Sequence, residues 1–388
     1  MTSRLSALIL AAGYSSRMGK LKGLLPLPDN GSETVLKRCV DLFRTCGLEE
    51  IIVVSGHARH RIEAAANQYG CATVYNPDFD QGMFSSIQAG VCALPAETEG
   101  LFLLPVDIPL IRAGTVAQLL AARQHSSAQV IYPVFNGQRG HPPWVHSSLF
   151  TNIKLGTHCQ QGLRSLLAHI EQNSPQSVEE VLTCDANILF DMDTPDAYDQ
   201  ACSRARVLGY PTKEECRQLL KHIHPIPEKG LAHGEAVAEA AVCLCREINR
   251  NSQTLLDPAL CYAAGLLHDI AKGHPEHEAT GASWLRVLGF PAAAEIVAAH
   301  KDLHFSRTDT LTEKELVHLA DKVVRGSQVV SIHQRFSEKT ALYKDDPEAV
   351  RAIQGRLDQA LAIAETVESI TDRSLLSILE KPRYSTST

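Results

Sequence analysis

Across residues 1–200, short and nearly continuous apolar runs alternate with helical patterns, and this alternation restricts the fold more than any other feature of the chain. The runs at 6–10, 50–54, 73–75, 100–104, 129–133 and 188–191 read as strands. Between them, 34–44, 59–68, 85–93 and 113–123 carry helical spacing. A strand that is apolar on both faces has to be covered on both. The expected fold is therefore an α/β, Rossmann-like domain with a mostly parallel sheet and helices on either side.

After Tyr198 the pattern changes. Residues 212–380 hold almost no β-branched runs, and helical stretches follow one another at 236–247, 258–268, 278–288, 292–300 and 313–323. Pro211-Thr212-Lys213-Glu214-Glu215 has the spacing of a capping box, with Thr212 and Glu215 as its partners. The boundary is placed at 209–212, giving a domain over 1–208 and an all-α domain over 209–388 with a core at about 216–335. At 388 residues the chain exceeds the ~250–300 at which a single core stops growing, so two domains are expected. Residues 385–388 read as a frayed tail.

Composition narrows the function classes. With 44% hydrophobic and 21% charged residues the chain is neither disordered nor fibrous. No run approaches the ~18 apolar residues of a membrane span, and the first residues lead into a strand without a signal-peptide cleavage pattern. The net charge is −7 and neither half is basic, so a nucleic-acid partner is not expected. The 11 cysteines are scattered without a Cys-x-x-Cys, which reads as reduced thiols in a cytoplasmic protein. Cys243 and Cys245 fit packing in a helix. The 17 histidines are unusual, because ten of them fall between His222 and His333.

Directly after the first strand comes Leu10-Ala11-Ala12-Gly13-Tyr14-Ser15-Ser16-Arg17-Met18-Gly19, followed by Lys22. Small residues there let backbone approach a ligand, exposed N–H groups can cradle phosphates, and Arg17 and Lys22 add two cations. The loop matches neither a Walker A motif nor Gly-x-Gly-x-x-Gly. With five further segments it resembles the MobA-like nucleotidyltransferases, and among them the molybdenum cofactor cytidylyltransferases. Those segments are Val54-Ser55-Gly56-His57; Asn76-Pro77 with Gln81–Ser86; Pro105-Val106-Asp107-Ile108-Pro109; Gly140-His141-Pro142-Pro143; and Asp191-Met192-Asp193-Thr194-Pro195-Asp196. Where many relatives carry Asp-Gln-Pro, this chain has Asp107-Ile108-Pro109.

The resemblance implies Mg²⁺-dependent attack of a phosphate-bearing acceptor on the α-phosphorus of a nucleoside triphosphate, with loss of pyrophosphate. It makes Asp107 the main Mg²⁺ ligand, with Asp191 or Asp193 as the second; strand alternation would put both late aspartates on one face. Leu10, Ala11, Ala12, Gly13, Gly56, Ser85 and Ser86 join Arg17, Lys22 and Asp107 around the nucleotide. Gly140, His141 and Pro142 fall to the acceptor. Ala-Ala-Gly, rather than Ala-Gly-Gly, favours CTP over other triphosphates. The implied acceptor is molybdopterin or the molybdenum cofactor, and a molybdoenzyme could receive the product.

The helical half contains, in order, His233, the adjacent His268-Asp269, His277, His300 and Asp321. A His-Asp pair inside an apolar helix is costly unless compensated, and a divalent transition metal (Fe, Mn, Co, Ni or Zn) compensates both. The order His…His-Asp…Asp resembles the HD-domain phosphohydrolases. It implies one or two metals, with His277 and His300 as the additional ligands of two-metal members and Lys272 on the substrate phosphate. His274 and His304 are alternatives for those two positions. The leading reading is a transferase joined to a phosphohydrolase. The others make the helical half a ligand sensor, the acceptor a sugar phosphate or other small phosphate, or the whole chain a non-catalytic cofactor carrier.

Overall fold

In the computed structural model, which describes residues 4–28 and 34–380, the first apolar run is strand β1 (Leu5–Leu10). The sequence continues through α1 (Val35–Thr45), β2 (Glu50–Ser55), α2 (Arg59–Gln68), β3 (Ala72–Tyr75), α3 (Met83–Cys92), β4 (Gly100–Pro105), α4 (Ala113–Arg123) and β5 (Val130–Phe135). Then come β6 (Gln138–Arg139), β7 (Trp144–His146), α5 (Phe150–Leu155), α6 (Leu163–Asn173), β8 (Val178–Leu182) and α7 (Pro195–Ala205). The sheet order is β3-β2-β1-β4-β7-β5-β6, with β8 on β5. β1 to β4 pair in parallel, whereas β7 runs antiparallel to both β4 and β5. The order reverses between β1 and β4, which is where ligands bind in open α/β sheets.

The pleat explains the double cover. Ala7 and Ile9 pack into one core with α1 and α4, and Leu8 and Leu10 into the other with α3 and α6. One expected strand is absent. Residues 188–191 do not extend, because the Asp185 carboxylate accepts from Asn187 N and Nδ2 at 3.2 and 3.1 Å and closes a 3-10 turn over Ala186–Leu189. Asp185 also holds Arg112 in a buried pair at 2.8 Å and accepts from Thr115 Oγ1 at 2.9 Å. Asp185→Ala strands the Arg112 guanidinium in the core and should cost about 3–5 kcal/mol in a denaturant titration. A loss below about 1 kcal/mol would show that water compensates Arg112.

The described residues form two compact units that divide between Leu208 and Gly209. The second is helical: α8 (Lys213–Gln218), α9 (Glu228–Asn251), α10 (Pro258–Leu267), α11 (His277–Leu288), α12 (Pro291–Ala299) and α13 (Glu313–Val323). A short hairpin of β9 (Val324–Arg325) and β10 (Gln328–Val329) precedes α14 (Ile332–Leu342), α15 (Pro347–Thr371) and α16 (Leu375–Leu379). Thr212 and Glu215 close the capping box that opens α8. Residues 385–388 lie outside the described residues.

Two glycines set the spacing of α9 and α10. A Cβ on Gly234 would meet Leu266 O at 2.7 Å, and one on Gly265 would meet Ala238 Cα at 2.8 Å. Gly265→Ala is therefore expected to destabilise the chain by about 1–3 kcal/mol through overpacking, read as a shift of the unfolding midpoint. An unchanged midpoint would mean that the helices separate without cost.

Candidate nucleotide and metal sites

Four loops meet at the carboxyl ends of β1, β2, β3 and β4. The glycine loop is pinned to β2, since Ala11 N donates to Val54 O and His57 N to Ala12 O, both at 2.9 Å. Gly56 allows this approach; a Cβ there would lie 2.7 Å from Ala12 O. On the other side of β1, Val106 N donates to Leu10 O at 3.1 Å, which fixes the loop that carries Asp107.

Lys22 is the centre of the charge arrangement. Its Nζ donates to Asp107 Oδ2 at 2.9 Å and to Asp193 Oδ1, while Arg17 Nη1 lies 2.7 Å from Asp193 Oδ2. Lys22 and Arg17 hold the Asp193 carboxyl below its usual pKa, and the two carboxylates raise that of the Lys22 ammonium against the opposing effect of burial. Met192 N donates to Asp107 O at 2.8 Å, so the late segment is tied to the loop after β4. That tie brings Asp193 to the cluster. Asp191 is exposed and takes no part in these pairs, and no strand forms here.

A cavity of about 230 Å³ is lined by Leu10, Ala11, Ala12, Gly13, Lys22, Ser86 and Asp107. It shares Leu10, Met83 and Pro105 with a larger one of about 960 Å³, whose walls include Phe84, Tyr132, Arg139 and His141. Gly140 packs on Ile188 and Pro142 is buried, so of the Gly140–Pro142 turn His141 is the residue that faces the larger cavity. Ser85 donates to Asp78 O and Gly82 O and serves the loop. Asn76, not singled out from sequence, is 2% exposed and donates to both Ser85 and Ser86. Tyr14 packs against His57 and Phe79 with ring centroids at 4.9 and 5.2 Å. An isolated aromatic in a loop carries no sequence signal for such a cluster.

In the helical unit, His233, His268 and Asp321 place ligand atoms within 4.8 Å of one another, and so do Asp269, His277 and His300. The tautomers are readable. His233, His268 and His300 each set Nδ1 on a backbone carbonyl (Gly326, Gly265 and Val297) at 3.0, 2.8 and 2.6 Å. The Nε2 lone pairs are left facing carboxylates. His233 and His268 face Asp321 at 3.3 and 3.6 Å, and His277 and His300 face Asp269 at 3.5 and 3.7 Å. Buried His268 Nε2 has no hydrogen-bond partner. Imidazole nitrogens oriented by carbonyls and converging on carboxylates are the donor set of a divalent transition metal, and this one fits two. Burial lowers the pKa of the His268 and His300 imidazoles, that of His300 to about 4. His274 turns instead to the Trp284 ring, and Lys272 lies 2.5 Å from Asp269.

Sequence comparisons agree with this division. Residues 7–176 match the MobA-like NTP transferase domain and residues 230–326 the HD domain. The chain is 30% identical over 204 residues to the molybdenum cofactor cytidylyltransferase of Escherichia coli, covering 97% of that protein and 52% of this chain. It is 38% identical over 120 residues to a molybdenum cofactor guanylyltransferase of Xanthomonas euvesicatoria, covering 56% of that protein and 31% of this chain. It is also 26% identical over 197 residues to nicotine blue oxidoreductase of Paenarthrobacter nicotinovorans, covering 92% of that protein and 49% of this chain.

Proposed function

The chain belongs to the MobA-like NTP transferase family and carries an HD domain, and from that premise we propose that it transfers CMP from CTP to a molybdopterin-type acceptor and hydrolyses a phosphate ester at its second site. The observation that carries the transfer reading is Lys22 shared between Asp107 and Asp193 beside the glycine loop. Two carboxylates converging on one cation suit a hard metal, so Asp107 and Asp193 would hold Mg²⁺, which would offset charge on the triphosphate.

The chain's own groups do the rest. The smaller cavity holds the nucleotide against Ala11–Gly13, and the adjoining larger one presents the acceptor phosphate. An acceptor oxygen bonds to the α-phosphorus, the α–β P–O bond breaks, and pyrophosphate leaves with the electron pair. Lys22 and Arg17 stabilise the charge on the departing phosphates. Similarity along nearly the whole of the cytidylyltransferase, against about half of the guanylyltransferase, supports CTP.

In the helical unit the two metal groups would supply Lewis acidity and an activated water. Lys272, which lies beside Asp269, would meet the substrate phosphate, while Lys322 and His318 hold the backbone carbonyl of His300 at 3.3 and 3.0 Å and keep that ligand in place. Water adds its oxygen to phosphorus, and the ester oxygen leaves with a proton.

The test is pyrophosphate release from purified protein with Mg²⁺, molybdopterin and each nucleoside triphosphate. Release that is fastest with CTP supports the reading, and no release with any pair defeats it. Faster turnover of a sugar phosphate would move the acceptor to that class.

A further inference from the structure

Cys245 and Cys261 lie on the facing sides of α9 and α10, whose backbones meet where a Cβ on Gly265 would sit 2.8 Å from Ala238 Cα. Cys245 comes two turns after Ala238 on the same side of α9, and Cys261 one turn before Gly265 on the same side of α10. A short connection over 252–257 makes the two helices an antiparallel hairpin, so both steps lead the same way along the contact. Both cysteines are 0% exposed and belong to one apolar core. The Cys261 thiol donates to the Cys245 sulfur, so the two sulfurs are neighbours. Asn249 Nδ2 lies 3.9 Å from the same Cys245 sulfur. That amide is fixed in turn, since it donates to Leu256 O at 2.8 Å and accepts from Leu256 N at 2.9 Å.

We propose that Cys245 and Cys261 are joined by peroxide into a disulfide, a reversible staple between the helix that carries His233 and the helix that leads into His268. Neither cysteine is among the candidate metal ligands, so the link leaves that donor set intact. The pair is unequal. The hydrogen bond from Cys261 holds the Cys245 thiol below its usual pKa against the effect of burial, and the Cys261 thiol is raised well above. Cys245 is therefore the sulfur that attacks, because the thiolate is the nucleophile.

The Cys245 sulfur bonds to one oxygen of hydrogen peroxide, the O–O bond breaks, and water leaves with the thiol proton. The product is a sulfenic acid. The Cys261 sulfur then bonds to the Cys245 sulfur, the S–O bond breaks, and a second water leaves with the Cys261 proton. Two thiols are oxidised to one disulfide and one peroxide is reduced to two waters. Attack by an added dithiol on the disulfide restores both thiols.

The test treats the full folded chain with hydrogen peroxide, blocks the remaining thiols and maps the cross-links by mass spectrometry without reduction. A peptide pair joined through Cys245 and Cys261 is expected. The unfolding midpoint of the helical unit should rise by roughly 6–12 °C, the gain of closing a loop of this length, and fall back when dithiothreitol is added. Cys261→Ser should remove the link and the rise, and Cys243→Ser, at an exposed position on α9, should leave both. If the Cys261→Ser chain does not fold, the map of the unaltered chain decides. Three results overturn the inference: a link through Cys243 in place of Cys245, both thiols of the pair still free after exposed Cys92 and Cys243 have oxidised, or a link that leaves the midpoint where it was.

Discussion

Lys22→Ala should lower the rate of pyrophosphate release by about 10²–10³-fold, the usual loss when one preorganised charge is removed from a transition state. Lys22 is the group that both carboxylates share, its side chain is 11% exposed, and no other cation contacts Asp107 and Asp193 together among the described residues. Arg17 touches Asp193 alone and is largely exposed, so Arg17→Ala should cost less. The sharper contrast lies between the late aspartates. Asp193→Ala should reduce transfer as strongly as the lysine variant, while Asp191→Ala should leave it near the starting rate. Equal losses for the two would show that Asp191 reaches the nucleotide, contrary to its exposed position outside the cluster.

Asp269→Ala should remove phosphohydrolysis and lower bound transition metal from about two to one per chain, measured by elemental analysis after reconstitution. His233, His268 and Asp321 form a group of their own, whereas His277 and His300 have Asp269 as their carboxylate partner. Retention of both metals by the variant would mean that the imidazoles suffice for the second ion. The transfer reaction of the first unit serves as the internal control for folding.

Much of the fold was legible because apolar periodicity is a local signal. Helices α2, α4 and α13 fall on the residues where the spacing put them. What local pattern missed is short or depends on partners. β7 has three residues and pairs antiparallel between two longer strands, and β8 lies at the side of β5 with Glu179 and Glu180 in its middle. Residues 188–191 look like a strand by apolarity, yet the preceding Asp185 closes a turn there.

By itself the sequence determined which residue types were available and in what order: a glycine loop with two cations after a strand, an aspartate after another, and a His/Asp series on helices. The tertiary structure alone decided which of them meet. Asp193 joins Lys22 and Asp191 does not, because one backbone hydrogen bond ties Met192 to Asp107 across 85 residues of chain. His277, the first residue of α11, and His300, which caps α12, face Asp269, while His274, in the turn before α11, packs edge-on against Trp284. Periodicity is set within a turn or two of chain. The convergence of charged groups is set by packing between elements far apart in sequence.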